Sequence, residues 1–207
     1  MTIPEQLKRK LFEALCVSAA LGIAFLAINY LHFQFISVSV ILYACLWDIL
    51  LATLVVVGGY LFLRRDKAYL LKTEFGLTVL ACNLFIVIYS IMGPTVIDRS
   101  LSLYIVNKID QRGGEVKESA MPDIFVREYL PEFRLVDVRM TEQVTSGTVE
   151  IENGCVHLTA RGKRLSRFVN WYRANFLPKR RVLMDEVTDQ LTDPFRNSQA
   201  IVDTQCQ

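Results

Sequence analysis

Asp48, in the run YACLWDILLATL, is a carboxylate in an otherwise apolar stretch. An ionised aspartate at the centre of a hydrocarbon layer costs about 2.5–3.5 kcal/mol on insertion scales, so such a residue needs a partner and marks a functional position by default. If the apolar runs are helices, Asn29, Tyr89 and Ser90 reach a similar depth. Three kinds of chemistry suit that set: a hydrogen-bonded patch that fixes helix register, a contact to a cation of a partner subunit, or recognition of a lipid-linked substrate. Asp98 and Arg99 read as a helix cap and an interface anchor, the sharper alternative being a catalytic acid acting on a lipid-linked donor. His32 and His157 are the only histidines, and His157, alternating with Cys155, reads as a structural half-buried residue. No His-Glu-x-x-His, phosphate-binding glycine loop or Gly-x-Ser-x-Gly occurs, and no spacing suits a metal, so no catalytic set, cofactor or metal is expected.

The second constellation is VHLTARGKRLSRFVNWYRANF, residues 156 to 176. No acid lies between Asn153 and Met184, while Lys163, Arg164, Arg167 and Arg173 crowd one segment. On a helix, Leu165, Phe168, Val169, Tyr172 and Phe176 share one face, which is expected to pack on the domain. Lys163 and Arg167 project away from it, and Trp171 falls between the faces beside Arg164 and Arg167. A tryptophan among cations suits lipid headgroups or an acidic partner, the plain alternative being a solvated helix whose ring covers arginine stems.

The elements that carry these residues are legible from composition. Of the 207 residues, 52% are hydrophobic, and between residues 11 and 97 the charges are Glu13, Asp48, Arg64, Arg65, Asp66, Lys67, Lys72 and Glu74. Three apolar runs, about 11–31, 37–63 and 75–97, are long enough to span a bilayer. The first is too long for a signal-peptide core and lacks a small-x-small cleavage site. Lys8, Arg9, Lys10, Arg64, Arg65, Lys67 and Lys72 put seven basic residues on one side, against Arg99, Lys108 and Arg112 on the other. That bias places the N-terminus in the cytoplasm and the C-terminal part outside, as in a bacterial inner membrane. The Arg64 end then lies at the inner interface, and Asp48, sixteen residues away, reaches the outer leaflet. An outside location also permits a Cys155–Cys206 bridge.

From Asp98 onward the chain reads as water-soluble, giving an expected boundary near residue 98 and a domain over 98–181. A cap from Asp98 or Ser100 opens a helix with Leu101, Tyr104, Ile105 and Ile109 as its apolar stripe, stopped by Gly113-Gly114. A second helix follows Ser119 and Pro122, with Ile124, Phe125, Tyr129 and Leu130 inward. A third covers 132–146 and closes at Gly147, and Asn153-Gly154 then marks a hairpin. Residues 182–207 read as a polar tail, with Val187 and Leu191 pairing in a weak helix before a flexible end.

Three helices, a hairpin and a further helix joined by HLTARGKRL resemble the winged helix-turn-helix fold over about residues 100–177, most specifically at Leu158-Thr159 and Gly162. The resemblance implies that Thr159 caps the last helix, that the third helix reads DNA and that the hairpin wing touches its backbone. Charge opposes that use. Residues 131–146 carry Arg134 and Arg139 against Glu132, Asp137 and Glu142, and the wing presents Glu150 and Glu152. From Arg99 to the end, sixteen basic residues face fifteen acidic ones.

The fold class expected is therefore an α-helical membrane part with three transmembrane helices, followed by a small α+β winged-helix-like domain. Its expected work is that of a non-catalytic accessory or assembly subunit. Membrane lipids are one expected partner, and an integral-membrane protein or a second copy is another; nucleic acid is disfavoured. A membrane-anchored transcription regulator and a small enzyme acting on a lipid-linked substrate are the alternatives.

Overall fold

The computed structural model describes residues 4–63, 68–199 and 206. Three helices are long and apolar enough to cross a membrane: α1 (Glu5–Phe35), α2 (Ile41–Leu63), and α3 (Lys72–Ser90) with its continuation to Arg99. The expected runs are helical, with shifted limits. α1 extends past 11–31 at both ends, and α2 begins at Ile41 rather than Ser37. Gly93-Pro94 reads in the sequence as a break at the end of the third span, yet the chain continues through a π-helical turn (Ile91–Thr95) into α4 (Val96–Arg99). Proline removes one helical N–H and crowds the carbonyl four residues back, and the wider turn absorbs both effects. Arg64, Arg65 and Lys67, which contribute to the orientation reading, lie outside the described residues.

Glu13, Val17, Leu21, Phe25 and Asn29 form the buried stripe of α1, repeating every fourth residue. α2 answers with Ala44, Cys45, Asp48, Ile49 and Ala52, whose small members let the helices approach closely. Phe25, Ile49 and Ala52 form the core of the bundle, with Ile86 and Val87 of α3 against it. Side-chain ties also join the helices. Thr53 Oγ1 donates to Asn83 Oδ1 at 3.0 Å, Lys10 Nζ meets Glu74 Oε1 at 2.7 Å, and Tyr60 stacks on Phe75 at 4.1 Å.

The remaining chain is short helices and two small antiparallel sheets. Ser100, and not Asp98, caps α5 (Leu101–Gln111), accepting from the Leu103 amide at 3.2 Å. The expected second helix is a composite: a 3₁₀ turn (Glu118–Ala120), α6 (Met121–Ile124), a π turn (Phe125–Tyr129) and α7 (Leu130–Glu132). Ile124 and Tyr129 are buried as expected, whereas Leu130 is exposed. α8 (Leu135–Thr145) precedes β1 (Val149–Glu152) and β2 (Cys155–Leu158), which pair in the register Val149↔Leu158 around Asn153-Gly154. Both turn residues have positive φ, 51° and 77°, as the hairpin signal requires.

α9 (Ala160–Phe176) follows, capped as expected by Thr159, whose Oγ1 accepts from the Gly162 amide at 3.1 Å. Gly162 is required by contact, since a Cβ there would lie 2.1 Å from the Thr148 carbonyl oxygen. In place of the weak helix expected at Val187 and Leu191, β3 (Arg181–Leu183) and β4 (Glu186–Thr188) form a second hairpin. Val182 opposes Val187, and Met184 and Asp185 turn the chain with positive φ, so strand pairing overrides the helical spacing. A disulfide joins Cys155 to Cys206 across a Cα–Cα distance of 6.0 Å.

The chain divides into two compact units, Met1–Tyr129 and Leu130–Gln207. α5 and α6 belong to the first, and α8, the wing-like hairpin and α9 to the second. The order of these elements, helices, then a hairpin, then a further helix, is that of a winged helix.

Within the first unit, α5 is fastened to the Phe125–Tyr129 turn by Glu128. Its Oε2 meets Lys108 Nζ at 2.8 Å and its Oε1 meets Arg112 Nη2 at 2.9 Å. Hydrogen bonds from Lys108, then Arg112, hold the Glu128 carboxyl below its ordinary value of 4.5. A lowered folded-state value means that the stabilisation is complete above the ordinary glutamate range and is lost as pH falls through it and below. Amide exchange on the full chain, corrected for intrinsic rates, is expected to show constant α5 protection from about pH 7 to about pH 5.5 and a decline below. Glu128→Gln is expected to flatten that profile, and a wild-type profile that is already flat would contradict the assignment.

Candidate functional site

Near the α1–α2 connection three side chains converge inside the bundle. Asn29 and His32, three residues apart and therefore neighbours on α1, both reach Asp48 of α2. Asn29 Nδ2 donates to Asp48 Oδ2 at 2.8 Å, and His32 Nδ1 lies 2.7 Å from Asp48 Oδ1. The Asp48 side chain is 5% exposed and that of His32 is 21% exposed. Both carboxylate oxygens are engaged within the chain. Asn29 also points an N–H at Cys45 Sγ, 3.6 Å away.

The other expected members of the patch are placed differently. Ser90 is fully buried, but its Oγ donates to the Ile86 carbonyl of its own helix at 2.8 Å. Tyr89 is half exposed and meets Phe25 edge-on at 6.2 Å. Asp98 is exposed on α4, and Arg99 is half-buried. Two participants were not singled out from sequence. His32 offered no signal beyond its three-residue offset from Asn29. Glu13 is buried and accepts from the Tyr69 and Leu70 amides at 2.7 and 2.9 Å and from the Tyr60 hydroxyl at 3.3 Å. Its clue was its place at the head of the four-residue stripe.

The second candidate surface is α9. Lys163, Arg164 and Arg167 are exposed, as expected. Arg173 is half-buried and donates to the Leu191 carbonyl at 3.0 Å, which commits it to the chain's own backbone. The ring neighbours of Trp171 are Phe168 at 5.9 Å and Phe176 at 5.2 Å. The larger correction concerns the apolar face. Leu165, Phe168, Val169, Tyr172 and Phe176 were expected to be packed, yet all are exposed. Among the described residues, no apolar side chain of Leu130–Gln207 is buried. Helical periodicity produced the face, but α8 and the hairpin, themselves exposing Val136, Ile151 and Val156, supply nothing to cover it.

Replacing Asp48 separates hydrogen bonding from charge. An amide at position 48 can accept from Asn29 and donate to His32, whereas alanine leaves both without their shared partner. In a thermal or denaturant melt of the detergent-solubilised full chain, Asp48→Ala is expected to cost about 1–2 kcal/mol more than Asp48→Asn. Equal effects of the two substitutions would contradict the hydrogen-bonded role.

The chain matches no known family model, no curated protein and no solved structure.

Proposed function

We propose that this chain is a non-catalytic assembly subunit of a membrane complex, held in a bacterial inner membrane by its three long helices, with α9 as its contact element at the bilayer surface. The observation that carries this reading is the uncovered face of α9, where Phe168, Trp171, Tyr172 and Phe176 are exposed beside Lys163, Arg164 and Arg167. An amphipathic helix with aromatic residues on one face and unopposed basic residues on the other suits the headgroup layer of an anionic bilayer.

Two further observations support the reading. Disulfides persist in oxidising compartments, so Cys155–Cys206 favours a C-terminal part outside the cytoplasm, in agreement with the basic residues at the N-terminal end. The internally satisfied Asp48 suits a structural lock between spans rather than a reaction centre. Assembly of envelope glycan or lipid is the setting that such an orientation and an outer-leaflet polar cluster suit.

Trp47 and Trp171 are the two tryptophans, so a Trp47→Phe chain reports on α9 alone. In nanodiscs containing anionic lipid, Trp171 emission is expected to shift to the blue and to be quenched by brominated acyl chains, and in purely zwitterionic discs to be less so. Changing Arg164 and Arg167 to Glu is expected to remove about 2 kcal/mol or more of surface affinity and to restore the solvent-exposed spectrum. Trp171 emission indifferent to both lipid charge and brominated lipid would overturn lipid contact and move the helix to a protein partner.

A further inference from the structure

Tyr69 and the first turns of α1 enclose an open cavity of about 290 Å³, lined by Lys8, Arg9, Phe12, Glu13 and Tyr69. It is distinct from the Asp48 cluster, since Glu13 stands sixteen residues from Asn29 along α1, about 24 Å. Arg9 and Glu13 are four residues apart, a spacing at which arginine and glutamate ordinarily pair across one helical turn. They do not pair here. Glu13 turns into the bundle, where the Tyr69 and Leu70 amides and the Tyr60 hydroxyl engage its oxygens. Among the described residues no carboxylate lies within ion-pair distance of Arg9, whereas the adjacent Lys10 is taken by Glu74. Lys8 meets Glu5 at 3.3 Å, an exposed pair of little strength. Arg9 Nη1 donates to the Tyr69 hydroxyl at 3.4 Å, with the guanidinium 5.5 Å from the ring centroid. The phenol accepts in that bond, so its own O–H remains to donate.

The cavity therefore offers donors: the remaining N–H groups of Arg9, the ammonium of Lys8 and the O–H of Tyr69, while its one carboxylate is already engaged by three donors. Two cations against one carboxylate leave a surplus of one positive charge, which is the charge that a phosphodiester balances. A guanidinium grips phosphate oxygens with paired N–H groups, and an ammonium and a hydroxyl beside it can reach the others. The surroundings of the cavity identify the phosphate's carrier. Phe12 and, three residues on, Leu15 are exposed where the apolar run of the first span begins, and aromatic rings with cations at the head of a span mark the headgroup level of a bilayer. We propose that this cavity binds an anionic phospholipid, its phosphate held by Arg9, Lys8 and Tyr69 and its acyl chain lying along Phe12 and Leu15. The inference needs the three long helices to lie in a bilayer and nothing of α9.

The test uses the full chain in nanodiscs that carry a trace of photoreactive lipid, either phosphatidylglycerol or phosphatidylcholine with the same diazirine-bearing acyl chain. Photolabelling is mapped by mass spectrometry to residues 11–16 of α1. Phosphatidylglycerol is expected to label that segment about fivefold more strongly, the effect of one uncompensated charge near a cationic site. Arg9→Gln is expected to lower its labelling about fivefold, and Tyr69→Phe, which keeps the ring and removes the hydroxyl, about threefold. Lys72→Gln removes another exposed cation, at the start of α3 and outside the cavity, and is expected to leave labelling unchanged. Equal labelling by the two lipids in the wild-type chain would overturn the proposal without recourse to any variant. So would a loss on Lys72→Gln as large as that on Arg9→Gln, which is the behaviour of a diffuse surface field, or labelling abolished by millimolar inorganic phosphate, which would assign the donors to a free anion. Labelling of α1 is read independently of Trp171 emission, so the failure of lipid contact at α9 and the failure of this site are told apart.

Discussion

A carboxylate inside a hydrocarbon layer must be met by donors, and Asp48 makes that requirement the organising constraint of the bundle. Only one register of α1 against α2 brings Asn29 and His32 to its two oxygens at 2.8 and 2.7 Å. Sliding α1 by one residue would carry the four-residue stripe off α2 and strip both bonds together. The same stripe ends sixteen residues away at Glu13, which is bonded to the Tyr69 and Leu70 amides and the Tyr60 hydroxyl. Each end of the α1 seam is thus a buried polar anchor, and the length between them is apolar packing of Val17, Leu21 and Phe25 against small residues of α2. Where packing in lipid lacks a hydrophobic driving force between helices, two such anchors confer specificity that Leu and Val alone do not.

The second unit is organised by the opposite means. Its form comes from backbone devices: the Thr159 cap, the close approach of Gly162 to the Thr148 carbonyl, the Asn153-Gly154 turn and the bridge from Cys155 to Cys206. No apolar core backs them among the described residues. A set of elements held by caps and turns, with its most aromatic face uncovered, gains much of its burial from whatever surface it meets. In that sense the exposed face of α9 is the missing part of the unit's own packing.

How far these features are legible in the sequence depends on how local their causes are. The three long helices follow from hydropathy, the Thr159 cap from Leu-Thr-x-x-Gly, and the first hairpin from Asn-Gly, because each is decided within a few residues. Asp48 is conspicuous for its cost, and Asn29 for its depth. His32 is invisible as a partner because nothing local says which way an interfacial histidine turns, and the α1–α2 connection decides it. Pro94 reads as a stop because the π turn that carries the helix past it has no sequence signature of its own. The β3–β4 hairpin is missed because Val187 and Leu191 also fit a helical spacing, and the strand pairing Val182↔Val187 is visible only in the fold. The face of α9 is legible as apolar, but periodicity does not reveal whether anything lies opposite.

The central claim is that Asn29 and Asp48 are energetically coupled inside the bundle, and a double-mutant cycle measures that coupling directly. Unfolding free energies of the full chain in bicelles, for the wild type, Asn29→Ala, Asp48→Ala and the double variant, isolate the pair. The account predicts a favourable coupling of about 0.6 kcal/mol or more, the average found for hydrogen bonds between membrane helices, whose maximum is about 1.7 kcal/mol. Additive effects of the two substitutions would contradict it.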